Sequence, residues 1–352
     1  LVNQSGQIGS SADRLKAGTK YTHETLARIK GGRVDSLGNV KVSAIDSLAT
    51  RNFSGSLQLG ATAAVGAAVS YTLSNARVTA DVDATVVAES LLTTAQSKAL
   101  KNEPAVKVES YTGAAGFGAG IGAAVSVAEM NNIVSVNLAG DQRYNGSLNA
   151  SAADSLGLSV TADGAAFGAI AAGLVIGTGL RDSDVGVSVA ADSKLSANGI
   201  NLSAQGAGAL EVTTVGAAGG LALAGTAVAA LGIDSTRVTA EVGDRTILDG
   251  GANGVSVQAS AAPQIDVSAT GVSVSGGAGV GASYARAQSS TKVTAKLGNA
   301  VDVKGTGGLK ILAKLDNQRT GPDVDPDEAA VRARSMAGTG GLYFSANGSV
   351  AE

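Results

Sequence analysis

The chain has 352 residues, of which 49 are glycine; 44% are hydrophobic, 3% aromatic and 16% charged, and the net charge is −3. The absence of cysteine excludes disulfide scaffolds, thiol catalysis and cysteine metal sites, and the single histidine, His23, argues against a histidine-based metal site or charge relay. The mildly acidic balance argues against nucleic acid and anionic membranes as partners, and the hydrophobic fraction is too high for disorder.

In chain order, residues 1–32 read as a strand followed by a helix. The helix spans 11–30, with Ser10 or Ser11 as N-cap, Asp13 in its first turn and Gly31-Gly32 as its stop. From 33 to 314 two anchors recur. The first is an alternating strand that begins at Val40, Leu148, Ile200, Val255 and Leu309, at intervals of 108, 52, 55 and 54 residues. The long interval spans two periods, and Val106 starts a displaced copy inside it. Each anchor follows a turn signal, at Gly38-Asn39, Asn145-Gly146, Asn198-Gly199, Asn253-Gly254 and Gly307-Gly308. The second anchor begins at Val78, Val134, Val185, Val238 and Val293, at intervals of 56, 51, 53 and 55 residues. Two anchors sharing one period of about 53 residues define a repeat.

A glycine- and alanine-rich stretch precedes each second anchor, at 60–69, 113–127, 164–180, 215–233 and 274–285. Apolar residues occupy both parities, which predicts strands buried on both faces. Glycine lets two backbones approach closely, so Gly118, Gly120, Gly122, Gly277, Gly279 and Gly281 are candidate structural positions. The stretch at 215–233 is long enough for a membrane helix, but glycine density, the absence of basic flanks and the shortness of other copies argue against it. Membrane strands would carry aromatic girdles that this composition lacks. Short polar turns are expected at Ser74-Asn75, Asn131-Asn132, 181–184, Asp234-Ser235 and 288–290, each leading into the second anchor.

Three segments break the pattern. Besides the N-terminal helix, residues 90–105 read as a helical insertion ended by Pro104, and 315–336 as a charged insertion. Residues 337–352 read as the start of a further, truncated repeat. The expected fold is all-β: a parallel β-solenoid of ~53-residue repeats with short helical insertions. A β-prism or propeller-like array is the alternative. The open strand edges expected at both ends imply an excerpt of a longer protein or head-to-tail joining into a filament.

The anchor Val255-Ser-Val-Gln-Ala259, the block Gly276-Gly-Ala-Gly-Val-Gly-Ala282 and the closing Val293-Thr-Ala295 resemble the leukotoxin-type filamentous adhesins, large repetitive bacterial surface proteins. The resemblance covers most of 33–314. It implies export to the cell surface or medium, a β-solenoid shaft, and roles in adhesion or biofilm matrix, with no catalytic residues to carry over.

Few residues invite chemistry. His23 stands alone in the expected helix and reads as a solvent-facing structural residue. No serine sits in a nucleophile elbow backed by histidine, and the glycine runs lack nucleotide-loop spacing. Asp323, Asp325, Asp327 and Glu328 could present carboxylates to calcium, without the EF-hand glycine and distal glutamate. Arg181, Asp182 and Asp184 form a weaker candidate of the same kind. Six Asn-x-Ser triplets, at Asn3, Asn52, Asn145, Asn149, Asn201 and Asn347, read as polar strand-edge residues, with glycosylation the secondary reading. The expected function is therefore non-enzymatic: the extracellular or cell-surface shaft of a bacterial filamentous adhesin or matrix fibre. It needs no cofactor unless calcium binds. Its partners are copies of itself or flanking segments head to tail, with matrix carbohydrate or a host surface beyond them. The alternatives are a polysaccharide-binding or -degrading β-helix module and a pore-forming toxin segment.

Overall fold

A computed structural model of the protein describes residues 19–100, 104–316 and 329–352. These residues form twenty strands in one sheet system, every pairing is parallel, and no helix occurs among them. Strands pair with the segment one period further along. The offset runs from 51 residues at Val40↔Leu91 to 57 at Leu91↔Leu148. It rises to 66 only at Ile265↔Val331 and Ala278↔Phe344. Just before, Ala261 pairs with Leu315 at an offset of 54, so the last layer carries twelve extra residues between 315 and 331.

Each layer follows one course. The first-anchor strand (Val40–Leu48, Leu91–Ala99, Leu148–Asp154 in the first three layers) leads into an outbound strand such as Thr50–Gly60 or Val106–Gly116. After a tight turn the chain comes back along a return strand that runs without a break into the second anchor, as in Ala63–Ala88 and Ala119–Ala139. A short strand, for example Asp141–Tyr144 or Lys194–Ser196, closes the layer. Outbound and return strands together make a two-sheet arm. Buried hydroxyls tie its sheets together: Ser70 to Ser54 at 2.8 Å, Ser110 to Ser126 at 2.7 Å.

Three apolar clusters succeed one another from the anchors to the arm tip. The first joins both anchors and the short strands, through Val42, Val78, Leu91, Val134, Val238 and Leu248. The second fills the arm root around Val106, Met130, Leu158, Leu210 and Ile265. The third is Ala166, Ala171, Ala218 and Ala224 near the tip. A fully buried valine or leucine stabilises by roughly 1.5–3 kcal/mol, so the Val/Leu-rich root and anchors hold the stack while the alanine tip adds little.

The second anchors fall in one column: Val78↔Val134, Val134↔Val185, Val185↔Val238 and Val238↔Val293. The first anchors do likewise, with one correction. The missing copy is Leu91, paired to Val40 and Leu148, whereas Val106 belongs to the outbound column beside Thr50 and Leu158. The helical insertion expected at 90–105 is therefore not present: Leu91–Ala99 is a strand. Its buried residues alternate as Leu91, Thr93, Ala95 and Ser97. Pairing on both sides outweighs the helix propensity of its Ala, Gln and Lys residues. The N-terminal helix fails likewise. Thr19–Asp35 is a strand paired with 72–87, and the rest of the expected helix lies outside the described residues. Its threonines and its period-two burial (His23, Thr25, Ala27 and Ile29 on the inner face) mark it as β.

The polar turns ahead of the second anchors are also absent in four layers. Ser74, Asn132, Arg181 and Asp234 are buried within continuous strands; only in the layer of Ser289 and Lys292 does the strand break. Glycine takes a positive φ at Gly199, Gly254 and Gly308, as the turn signals predict, but not at Gly38 or Gly146. The expected charged insertion is shorter than its sequence limits, because Val331–Gly341 is already the outbound strand of the last layer.

Candidate functional site

The arm is the part of the layer whose chemistry departs from that of an ordinary sheet. Toward its tip the interior holds mostly small and polar side chains, and the outer face of the return sheet holds large apolar ones. Along Ala63–Ala88 the buried positions near the tip are Ala64, Gly66, Ala68, Ser70 and Thr72, whereas Val65 is 64% exposed. The same inversion places Ile121, Leu174, Leu223, Val280 and Phe344 outward, each between 43% and 56% exposed. The expectation of strands buried on both faces is thereby corrected: one face of every glycine-rich strand is open. Near the tip Phe117, Phe167, Leu59, Leu221 and Val274 line an open groove of about 790 Å³ together with Gly116, Gly168 and Gly220.

The glycines explain the inversion. A Cβ on Gly122 would sit 2.8 Å from the carbonyl oxygen of Ala165 on the facing sheet, and one on Gly120 would overlap the Phe167 carbonyl. The two sheets of the arm are thus too close for side chains at these positions, and larger residues fit only outside. Gly279 faces the Gly340 carbonyl at 2.7 Å and Gly281 the Thr339 methyl at 2.9 Å. Gly118 and Gly277 lie at the turn, against the carbonyls of Thr62 and Ala222 in the preceding layer. The sequence reading missed a second set. Gly60, Gly116, Gly220 and Gly341 each end the outbound strand, and a Cβ there would overlap the carbonyl three residues on. Their signal was a glycine at one fixed place in the repeat, three residues before the return strand begins to pair.

At the arm root lies a buried charged cluster. The Arg181 guanidinium donates to Asp234 Oδ1 at 3.1 Å, Thr236 Oγ1 at 2.9 Å and Asp154 Oδ2 at 3.1 Å. Ser183 also donates to Asp154, and Leu156 N donates to its other oxygen at 3.2 Å. Burial pulls the Arg181 pKa down, but Asp154 and Asp234 outweigh that and raise it, so the cation persists. Gly208 leaves the space the guanidinium fills: a Cβ there would stand 2.6 Å from Nη2. This placement overturns the expected grouping of Arg181 with Asp182 and Asp184. Strand alternation buries Arg181 and Ser183 and exposes both aspartates on the other face.

His23 is half-buried rather than solvent-facing, and its Nε2 lies 3.4 Å from Asp46 Oδ2. Asn52 turns into the arm and donates to the Tyr71 carbonyl at 2.7 Å. Asp323, Asp325, Asp327 and Glu328 lie outside the described residues, as does Asn3. Among the described residues no group of three or more His, Cys, Asp or Glu side chains could hold a metal. No helix among them is long and apolar enough to cross a membrane.

The anchor side has the opposite surface. There Arg28 binds Asp81 at 2.7 Å, Asn137 donates to Asp81 at 2.8 Å and Ser188 to Asn137 at 2.7 Å. Asn131 donates to Asn75 at 2.9 Å. Each bond links neighbouring layers, so the polar face is laddered along the stack. Comparison of the chain with protein-family models, with curated proteins and with solved structures gives no match.

Proposed function

We propose that the chain is a length of parallel β-solenoid and serves as the shaft of an extracellular bacterial filamentous adhesin or biofilm-matrix fibre, growing end to end. One observation carries the reading. The same course of strands repeats with its anchors kept in column, and among the described residues the last layer (Asp302–Lys304, Leu309–Leu315, Val331–Gly341 and Phe344–Ala351) pairs on one side only. A further layer can add there by the hydrogen bonds that join the layers below, whether from a longer chain or from a second molecule. Backbone ladders and polar cross-layer bonds resist bending, which suits a mechanical element. The small-residue interior of the arm serves packing and needs no chemistry.

Negative-stain electron microscopy of the purified chain, in calcium and in chelator, tests the proposal. Unbranched filaments of uniform width under both conditions are expected. Separate short particles under both conditions would count against end-to-end growth and return attention to a binding or enzymatic module.

A further inference from the structure

The outward face of the return sheet carries a second property that shaft growth does not use. Six return strands lie side by side, and the chain is free of charge over 61–76, 117–128, 168–180, 220–233, 276–285 and 342–351. At about 4.8 Å between strands and about 3.3 Å per residue over ten residues, this face measures roughly 900 Å². The largest apolar patch on a typical monomer is about 300–600 Å². Nothing among the described residues covers it.

The geometry points to a second copy of this chain as the occupant, packed face to face through the return sheets so that two shafts run side by side. The inference rests on the shaft reading and extends it. Three features select a protein sheet. The area matches the roughly 800 Å² per partner that a stable interface buries. The rows are knobbed rather than uniform. Ile121 stands beside Ala172, and Leu174 lies between Ala123 and Ala227, so large residues of one face meet gaps in another. The face is uncharged, so a twofold-related copy brings no like charges together. A lipid phase fits less well. Acyl chains need no knobs and holes, so this relief would serve no purpose against lipid.

The chain has no cysteine, so a single introduced thiol reports proximity cleanly. Leu174→Cys, at the middle of the face, is expected to form a disulfide-linked dimer on mild oxidation, and Lys41→Cys, on the exposed anchor side, is not. In negative stain the wild-type particles are expected to be twice as wide as those of the Ile121→Lys/Leu174→Lys variant, with the two melting alike. Both positions are already exposed, so neither lysine is buried in the single shaft. Equal widths, or cross-linking at both positions or at neither, would overturn the inference. So would single-width wild type that floats with phosphatidylcholine vesicles, which would assign the face to lipid. End-to-end growth is read separately from particle length, so missing filaments would count against the shaft and missing pairing against this face.

Discussion

At the residue scale, Arg181 is a buried cation held by two carboxylates, and among the described residues no other cation pairs with either. Removing one member of such a buried group leaves charge uncompensated and costs about 3–5 kcal/mol, whereas removing the whole group in favour of apolar residues costs far less. Arg181→Met is therefore expected to lower the unfolding free energy by about that amount. Adding Asp154→Leu and Asp234→Leu to it should restore much of the loss. Chemical denaturation of the three proteins checks this; a single mutant as stable as wild type would show that the cluster is not buried as described. The Arg181 column also distinguishes layers. Its equivalents are Met130 in one neighbouring layer and Asp234 in the other, so a slip by one repeat would separate the guanidinium from its partners. That gives an otherwise self-similar sequence a mark of register.

At the element scale, the arm depends on glycine facing backbone. Gly122→Leu must force the two sheets apart at the Ala165 carbonyl, and overpacking of this kind costs about 1–3 kcal/mol or more. Ala123→Leu, one residue along and pointing outward, should be tolerated. Thermal melts of the pair test the placement: similar melting temperatures would contradict it. The sequence made this strand legible as a glycine-rich element needing close approach, but not its sidedness. Apolar residues at both parities suggested burial on both faces. Only the structure shows that the glycine parity faces the other sheet and the Val/Ile/Leu parity faces out. The helices expected at 11–30 and 90–105 misled for a related reason. Each contains good helix formers, yet each is held by parallel neighbours, a long-range contribution that local propensity does not contain. Leu91 itself fits the first-anchor period, and that period outranks the propensity of the residues around it. The second anchors read correctly because Val78, Val134, Val185 and Val238 are all fully buried and so recur with little variation.

At the scale of the whole molecule, the stack is amphipathic. The anchor side is polar and laddered by side-chain bonds between layers, the outer face of the return sheet is apolar and uncharged, and the outbound sheet carries ion pairs such as Arg51–Glu109 and Arg332–Asp266. In the proposed fibre, growth along the stack and pairing across the return sheets would use separate surfaces. The twelve extra residues of the last layer are accommodated between the first anchor and the outbound strand without disturbing the register that follows, since Ile265↔Val331 resumes the ladder.

In the layered stack, residues 269 positions apart in sequence lie five layers apart in one column. Lys41 and Lys310 are both exposed and are linked through Leu92, Asn149, Asn201 and Ser256 by five successive parallel pairings. At about 4.8 Å per layer their backbones stand about 24 Å apart. Spin labels on cysteines introduced at these two positions, read by pulsed electron–electron resonance on protein diluted in unlabelled chain, should give a narrow distance distribution near that value. A broad distribution, or one centred beyond about twice that distance, would contradict the layered stack.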